Sequence, residues 1–341
     1  MEPDYIAGTM MELNLNQFGF NKSVAQVYEL NKALNIDGSY STFRKKAIGI
    51  LGKFDAYLET EYNDVISKAQ NASSYIRQMK EKDTFPYWRY DTMGDERVRV
   101  SHEALDGKIF SINDAKARNL TPPLEFGCRC TRTALRKDEV DKKEVIGFEK
   151  ASKILGKDLQ KIKDNGFLNN PGETLEIFDL NKQYIDKLPK EEVLKINDIN
   201  YTHFGLSTFN VLRGKNTYKS LKRDPKATKE TILKEFDDKQ IILYKDYTSR
   251  EIALDKSIIE KQLAESHKVF GSLKDILKSP TEVYLRKFKN KLQYTYIKIY
   301  DKDVMIVVVS IDKKTGMKVQ SWYKNTQPEK LVRKGILISH E

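Results

Sequence analysis

Apolar residues recur at every third or fourth position from Phe43 to Met79, and no proline interrupts the run. A stripe with this period lies along one face of an α-helix. We therefore predict one long amphipathic helix over residues 41–82. Because an apolar stripe needs an apolar partner, packing on a second helix predicted at about 22–34, or on another subunit, is favoured over nucleic-acid recognition.

The segment from 84 to 135 lacks this period. It has clustered aromatic residues, "DG" at 106–107 and "TPP" at 121–123, which are typical of a compact, loop-rich module. Residues 136 to about 168 are charged and weakly helical, and "NNPG" at 169–172 is a strong turn signal. We therefore predict a first domain at 1–135, a charged linker at 136–172 and a second domain at 173–341.

The pattern beyond residue 173 mixes helix and strand. The run that starts at Ser249 predicts a helix with this serine as its N-cap. Strand-like runs follow at 281–287, 293–300, 304–311 and 317–324, with connections so short that the strands must pair antiparallel. The predicted fold class is α+β, with an N-terminal helical, loop-rich module followed by helices and an antiparallel meander sheet.

Composition narrows the class of protein. A chain of 341 residues is long for one core and sufficient for two. It has no apolar run of about 18 residues, and its first residues lack the pattern of a secretory signal, so we expect a cytoplasmic protein with no membrane partner. Two cysteines one residue apart do not form a disulfide framework.

The charge is concentrated at the C-terminal end. The formal net charge is +11, and residues 272–341 carry fifteen Lys and Arg against seven Asp and Glu, a net of +8. Such a region can attract phosphate backbones. Lysine-rich surfaces also keep proteins soluble, so both interpretations stay open.

One strand in this basic end adds chemistry. In "QYTYIKIY", alternation places Thr295 and the two isoleucines on one face, and the three tyrosines with Lys298 on the other. Aromatic rings interleaved with a cation can stack bases and neutralise phosphate. Tyrosine is also an ordinary strand former, so a structural role is the alternative.

The loop-rich module has a recognisable motif order. It runs Asp95, Arg97, Arg99, His102, Asp106, Gly107, Pro122, Pro123 and then "CRC" at 128–130. This order resembles the phage Mu F-like minor head protein module, also called the phage head morphogenesis domain, over about residues 55–135. The resemblance implies a minor capsid component that associates with the portal and with packaged DNA. The chain departs from the family in the short helical region before the module.

Histidine and the two cysteines of this module could bind a metal. His102, Cys128 and Cys130, together with Asp106 or Asp114, offer nitrogen, sulfur and oxygen ligands for a structural zinc ion. In the alternative, His102 hydrogen-bonds a carboxylate, Arg97 and Arg99 pair with nearby acids, and the thiols pack as small apolar groups. Either way we expect a tie for a small core and no catalytic centre.

The order of elements in the second domain suggests a second family. A helix with His267 precedes the strand "SPTEVYL", the basic aromatic strand, an apolar strand and a strand with "SWY". This order resembles, over about residues 195–341, the phage-borne barnase/EndoU/colicin/RelE-like nucleases that are fused behind Mu F-like modules. The resemblance implies a metal-independent ribonuclease that attacks phosphorus with the 2′-hydroxyl and needs no catalytic cofactor.

The resemblance assigns roles to particular residues. His267 is the candidate acid/base, because histidine titrates near neutral pH. Arg286 and Lys298 would hold the phosphate, Tyr296 would donate a hydrogen bond or stack a base, and Ser321 would contact phosphate or ribose. Simple alternation sets Ser321 on the face of Val319.

Each role has a structural alternative. His267 can be a capping or surface residue, Arg286 can be a solubilising charge at a strand edge, and His203 is a rival acid/base. His340, next to the last residue, is expected to fray.

Two functions from different classes follow. The first is a phage or prophage minor head protein with a C-terminal ribonuclease toxin, whose partners are RNA, portal and capsid proteins and an acidic immunity protein. The second is a non-enzymatic minor capsid protein whose basic end binds packaged DNA or the portal. Both place the protein in a bacterial cytoplasm or inside a virion.

Overall fold

The structure is a computed structural model that describes residues 5–37, 39–180, 182, 184–185, 188–196, 198–215, 218–288 and 291–340. The chain forms two compact units. One runs from Met11 to Leu188, and the other takes in the residues up to Met10 and those from Pro189 on.

Three helices open the chain: α1 (Tyr5–Asp37), α2 (Tyr40–Asp55) and α3 (Leu58–Lys80). The single helix predicted over 41–82 is thus two helices, which break at Ala56 and Tyr57. The apolar period continues across this break, so the pattern alone does not reveal it. Two acids, Glu59 and Glu61, lie in the first turn of α3, where the helix dipole favours negative charge.

The loop-rich module is built on a small sheet. Its elements are β1 (Tyr87–Asp91), α4 (Val100–Glu103), β2 (Ile109–Ser111), a 3₁₀ turn at Ala117–Leu120 and β3 (Thr131–Leu135). Within the described residues, β1 is the central strand and pairs antiparallel with both others. Trp88 and Phe110, which are fully buried, stack with ring centroids 4.6 Å apart and form the centre of the core.

The segment predicted as a linker is folded. It contains α5 (Phe148–Leu155), α6 (Lys157–Asp164) and α7 (Pro171–Thr174). Ala151, Leu155, Ile162 and Phe167 are buried in the same core cluster as Trp88. These apolar residues recur at helical spacing among many lysines, so one face is buried while the charged face meets solvent.

The second unit combines short helices with a large sheet. Its helices are α8 (Lys190–Ile196), α9 (Phe209–Lys215), α10 (Lys229–Lys234), α11 (Lys256–Ile259), α12 (Ala264–His267), α13 (Leu273–Lys278) and α14 (Glu329–Val332). Its strands are β4 (Ile241–Lys245), β5 (Glu251–Asp255), β6 (Glu282–Phe288), β7 (Lys291–Ile299), β8 (Val304–Asp312), β9 (Gly316–Lys324) and β10 (Ile336–His340).

The described strands of this unit form one sheet in the order β10-β6-β7-β8-β9-β5-β4. The predicted α+β class and the antiparallel meander of β6 to β9 are confirmed. The sheet extends beyond the meander, because β10 adds antiparallel to β6 and β5 adds parallel to β9.

The helix predicted from Ser249 is wrong. Residues 251–255 form β5, where Ile252 and Leu254 are fully buried, and only short helical turns follow. Ser249 has a left-handed backbone with φ +69° and lies in a turn that the Asp246 carboxylate closes by accepting from the N–H groups of Thr248 and Arg250. A serine in that turn does not cap a helix.

A bulge in β9 changes which residues share a face. Val319 pairs with Val309 and Ser321 pairs with Val308, so Gln320 is an extra residue in the ladder. Neighbouring residues of β8 point to opposite faces, so Ser321 faces away from Val319. The alternation predicted for Ser321 is therefore wrong, because a bulge has no signal in the period of apolar residues.

Gly335, between α14 and β10, is required by the backbone. Its φ is +110°, and a Cβ there would lie 2.3 Å from the carbonyl oxygen of Leu285. We expect Gly335→Ala to lower the melting temperature of the second unit strongly, because both the φ and the approach to β6 exclude a side chain. Thermal unfolding followed by circular dichroism measures this.

Gly214→Ala is the matched control. Gly214 lies in α9, and a Cβ added there would point into open space. Alanine there should stabilise the helix by up to about 1 kcal/mol. Equal melting temperatures for the two variants would contradict the role given to Gly335.

Candidate functional site

One face of the meander carries a cluster of polar side chains, which we call the polar sheet face. Its members are Arg286, Gln293, Thr295, Lys318, Ser321 and Tyr323. Thr295 is buried, and the other five are partly buried. The opposite end of this same face is closed by an apolar cluster that includes Ile297, Ile306 and Phe209. Among the described residues of this face, the polar end is partly exposed, apart from the buried Thr295.

The register sets the polar residues in rows across the strands. Arg286 pairs with Gln293 on β7, which pairs with Ser310 on β8 and then with Lys318 on β9. Directly opposite residues of an antiparallel pair have Cβ atoms about 5 Å apart. Two cations therefore lie at the ends of one polar row.

The next row brings hydroxyl groups together. Thr295 and Ser321 lie on either side of Val308, because both pair with it. Thr295 is only 1% exposed, and its Oγ1 has no hydrogen-bond partner among the described residues. A buried hydroxyl without a partner costs free energy, which a ligand that reaches this position would restore.

Tyr323 and Arg286 interact electrostatically. Burial raises the pKa of the Tyr323 hydroxyl, and the Arg286 cation partly opposes this. Burial lowers the pKa of the Arg286 guanidinium. The tyrosine is therefore protonated at neutral pH and can donate a proton, while the arginine stays positive.

A buried ion pair holds the segment that contacts Arg286. Arg333 is 0% exposed and donates to both carboxylate oxygens of Glu282, to Glu329 and to the carbonyl oxygen of Ser207. These bonds fix α14 against β6. The carbonyl oxygen of Leu331, in α14, then accepts from Arg286 Nη1 at 3.2 Å.

The other face of the sheet is closed by a polar network. The hydroxyl of Tyr296 donates to Asp246 Oδ2 at 2.8 Å, and Arg250 donates to the same carboxylate and to the hydroxyl of Tyr294. Tyr294 and Tyr296 are 0% exposed. The stacking surface expected from "QYTYIKIY" is therefore wrong, because this tyrosine face is inside the protein.

Lys298 also faces this buried side, where it has three acceptors. Its Nζ donates to the carbonyl oxygen of Ser279 at 2.6 Å and to the hydroxyl of Ser279, and lies 3.4 Å from Asp275 Oδ2. Tyr300 donates to the same carboxylate at 3.0 Å. Lys298 thus ties β7 to the loop after α13.

None of the three histidines of this unit is a member of the polar sheet face. His267 is 7% exposed, and its Nε2 donates to the carbonyl oxygen of Ile259 at 3.2 Å. The carbonyl oxygen of its neighbour Ser266 accepts a hydrogen bond from the indole of Trp322. Trp322 lies on the sheet face opposite the polar sheet face, so His267 is on that side as well. His203 is exposed and caps a 3₁₀ turn. His340 is exposed and, as the last residue of β10, pairs with Glu282 of β6.

The structure therefore divides the five residues predicted for the site. Arg286 and Ser321 share the polar sheet face. Tyr296, Lys298 and His267 lie on the other side of the sheet. Sequence reasoning missed Gln293, Thr295, Lys318 and Tyr323. The sequence could have indicated Thr295 and Gln293, because they alternate with Tyr294 and so share one face of the strand. The face on which Tyr323 lies could not be predicted, because it depends on the bulge at Gln320.

The first unit brings its histidine and cysteines together. His102, Cys128 and Cys130 are all buried, and their ligand atoms lie within 4.8 Å of one another. His102 Nδ1 is 3.5 Å from the sulfur of Cys128 and 3.7 Å from that of Cys130. Hydrogen bonding from Cys130, together with His102, lowers the pKa of the Cys128 thiol to about 4, and the same pairing with Cys128 raises the pKa of the Cys130 thiol. The cluster is compatible with a bound zinc ion.

The two aspartates expected as further ligands have other partners. Asp106 accepts from the N–H and the hydroxyl of Thr92. Asp114 accepts from the N–H groups of Lys116, Ala117 and Phe148.

The arginines of this module pair with acids. Arg99 lies 2.7 Å from Glu125, and Arg129 lies 2.6 Å from Asp95. The expected pairing of Arg99 with its sequence neighbours is thus replaced by one across the module. Arg99 and Arg129 both line the small cavity beside the His–Cys cluster.

Two regions of the chain match the models of known protein families. Residues 28–133 match the family model for Phage Mu protein F like protein. Residues 230–338 match the model for the phage-Barnase-EndoU-ColicinE5/D-RelE like nuclease2 family. The chain carries a phage Mu F-like domain and a nuclease-like domain. Both resemblances drawn from the sequence are confirmed, and every member of the polar sheet face lies within the nuclease-like region.

Relatives resemble only part of the chain. The Mu-like prophage FluMu F protein of Haemophilus influenzae is 45% identical over 67 residues, which is 20% of this chain and 16% of that protein. An uncharacterized protein of Methanocaldococcus jannaschii is 55% identical over 47 residues, 14% of this chain and 7% of that protein. No solved structure matches the chain. Among the residues that the structure describes, no helix is both long and apolar enough to cross a membrane.

Removing a tyrosine hydroxyl should affect stability differently on the two faces of the sheet. We expect Tyr296→Phe to lower the free energy of unfolding by about 1–2 kcal/mol, because Asp246 loses a buried hydrogen-bond donor. Tyr323→Phe, on the polar sheet face, should change it by less than about 0.5 kcal/mol. Urea denaturation of both variants measures the difference, and equal losses would contradict the structural role of Tyr296.

Proposed function

We propose that this protein is a phage or prophage minor head protein whose C-terminal domain is a metal-independent ribonuclease with its active site on the polar sheet face. The observation that carries the proposal is the presence of two cations, three hydroxyl groups and an amide on one face of the meander, in neighbouring rows that run from β6 to β9. This site lies inside the nuclease-like region, residues 230–338. The buried, unpartnered hydroxyl of Thr295 supports a ligand at this position.

The proposed reaction assigns a role to each group. Arg286 and Lys318 bind the phosphate and stabilise the negative charge of the transition state. Ser321 and Thr295 donate hydrogen bonds to phosphate or ribose oxygens, and Gln293 contacts a base edge. Of the site residues predicted from the sequence, this proposal retains Arg286 and Ser321.

The proposed cleavage is an internal transesterification of the RNA backbone. The 2′-oxygen bonds to phosphorus and its proton passes to water, while the bond from phosphorus to the 5′-oxygen breaks. The 5′-oxygen takes a proton from Tyr323, which regains one from solvent. The products are a 2′,3′-cyclic phosphate and a 5′-hydroxyl. Tyr323 replaces His267 as the proton donor in this proposal, because His267 is buried and bonded elsewhere.

The remaining partners follow from the two domains. We propose that the Mu F-like domain associates with portal and capsid proteins inside the virion, and that the chain is made in the host cytoplasm. An acidic immunity protein would bind the cations of the polar sheet face and so block it. The nuclease domain needs no metal, and the single metal site that we assign to the described residues belongs to the Mu F-like domain.

The second candidate is a head protein that binds packaged DNA without chemistry. The net charge of +8 over residues 272–341 favours it. In this case the polar sheet face would hold a phosphate backbone but leave RNA intact.

The test compares neighbouring cations on opposite faces of β6. Arg286→Gln in the full chain should reduce RNA cleavage in the presence of EDTA by about 10²–10³-fold, because it removes a charge from the transition-state site. Lys287→Gln, the exposed neighbour on the other face, should leave the rate within about twofold. A DNA oligonucleotide with a single ribonucleotide is the substrate, and mass spectrometry identifies the cyclic phosphate.

The outcomes separate the candidates. If the all-DNA oligonucleotide is bound but the ribonucleotide is not cleaved, the DNA-binding candidate is right. If His267→Gln abolishes cleavage in a folded protein while Tyr323→Phe does not, the proton donor is on the other side of the sheet.

A further inference from the structure

We propose that His102, Cys128 and Cys130 bind one zinc ion through Nδ1 and the two sulfurs, and that a water molecule takes the fourth position. This site belongs to the Mu F-like domain and is independent of the proposed nuclease activity.

The distances within the cluster are those of a coordination sphere. Zinc lies about 2.3 Å from a thiolate and about 2.0–2.1 Å from a histidine nitrogen, so tetrahedral angles set a nitrogen and a sulfur about 3.6 Å apart. His102 Nδ1 lies 3.5 and 3.7 Å from the two sulfurs. The three side chains are thus already arranged around one point.

A single metal ion would engage all three atoms together. When Nδ1 is unprotonated its one lone pair can accept from only one of the two thiols that approach it. A metal ion takes a lone pair from each of the three atoms at once. Two thiolates also neutralise the charge of Zn²⁺, so the ion adds no net charge to a buried site.

The surroundings leave room for one small ligand. A cavity of about 10 Å³ adjoins the cluster and is lined by Met93, Gly127 and the side chains of the nearby arginines. A volume of this size holds about one water molecule. Asp106 and Asp114 are bonded elsewhere, so neither supplies the fourth ligand.

The chain connections explain what the ion would do. His102 is in α4, whereas both cysteines lie just before β3, 26 and 28 residues further along the chain. A zinc ion would therefore join two loop-rich segments of a module with a small core. The ligand types, one imidazole and two thiolates, suit zinc and other thiophilic ions and disfavour magnesium or calcium.

Metal analysis of the full chain, purified without a metal-affinity tag, tests the site. We expect about one zinc ion per chain by mass spectrometry. Cys128→Ser and Cys130→Ser should each reduce this at least tenfold, whereas His203→Asn, a surface histidine of the other unit, should retain it. Chelation should lower the melting temperature and added zinc should restore it.

Cobalt spectroscopy of the unaltered chain decides the matter if the cysteine variants do not fold. Cobalt in place of zinc should give the intense visible bands and the sulfur charge-transfer band of a tetrahedral site with thiolates. A folded chain that holds neither zinc nor cobalt, or one in which the two cysteines form a disulfide, would overturn the proposal.

Discussion

The buried pair of Arg333 and Glu282 is the interaction on which the candidate active site depends. Both side chains are shielded from water, and a buried charge without its partner costs about 3–5 kcal/mol. The chain after β9 must therefore return to β6, where Gly335 permits the close backbone approach. This return places α14 beside β6 and its Leu331 carbonyl against Arg286. A structural ion pair thus positions Arg286, the cation that we propose binds phosphate, four residues away on the same strand.

Burial of one side of the sheet is the reason that we place the proposed site on the other side. Asp246 accepts hydrogen bonds from Arg250 and Tyr296, and Arg250 also donates to the hydroxyl of Tyr294. The aromatic face of β7 is therefore buried within a hydrogen-bonded polar network. Helical turns and an apolar cluster close most of the remaining surface. The polar sheet face spans four strands, and its members are cations, hydroxyls and an amide. This composition suits a phosphodiester backbone and not an apolar ligand.

Local patterns predicted more of the fold than of the site. The four meander strands follow from alternating apolar residues and short turns, and the His–Cys motif follows from its order in the chain. Ser321 could not be assigned to a face, because the bulge at Gln320 arises from ladder geometry. Tyr296 and Lys298 have the right residue types for RNA, but only the tertiary structure shows that Asp246 and Ser279 already engage them. His267 was predicted as the acid/base for the same reason, because its residue type does not reveal that the side chain is buried.

A crystal structure of the chain with a 2′-O-methyl RNA oligonucleotide tests the central claim most directly. The blocked 2′-oxygen prevents cleavage, so the substrate stays in the site. We expect a phosphate within hydrogen-bond distance of Arg286 and Ser321, with the adjacent 5′-oxygen facing Tyr323. RNA bound on the side of His267, or bound without contact to the polar sheet face, would contradict the proposed active site.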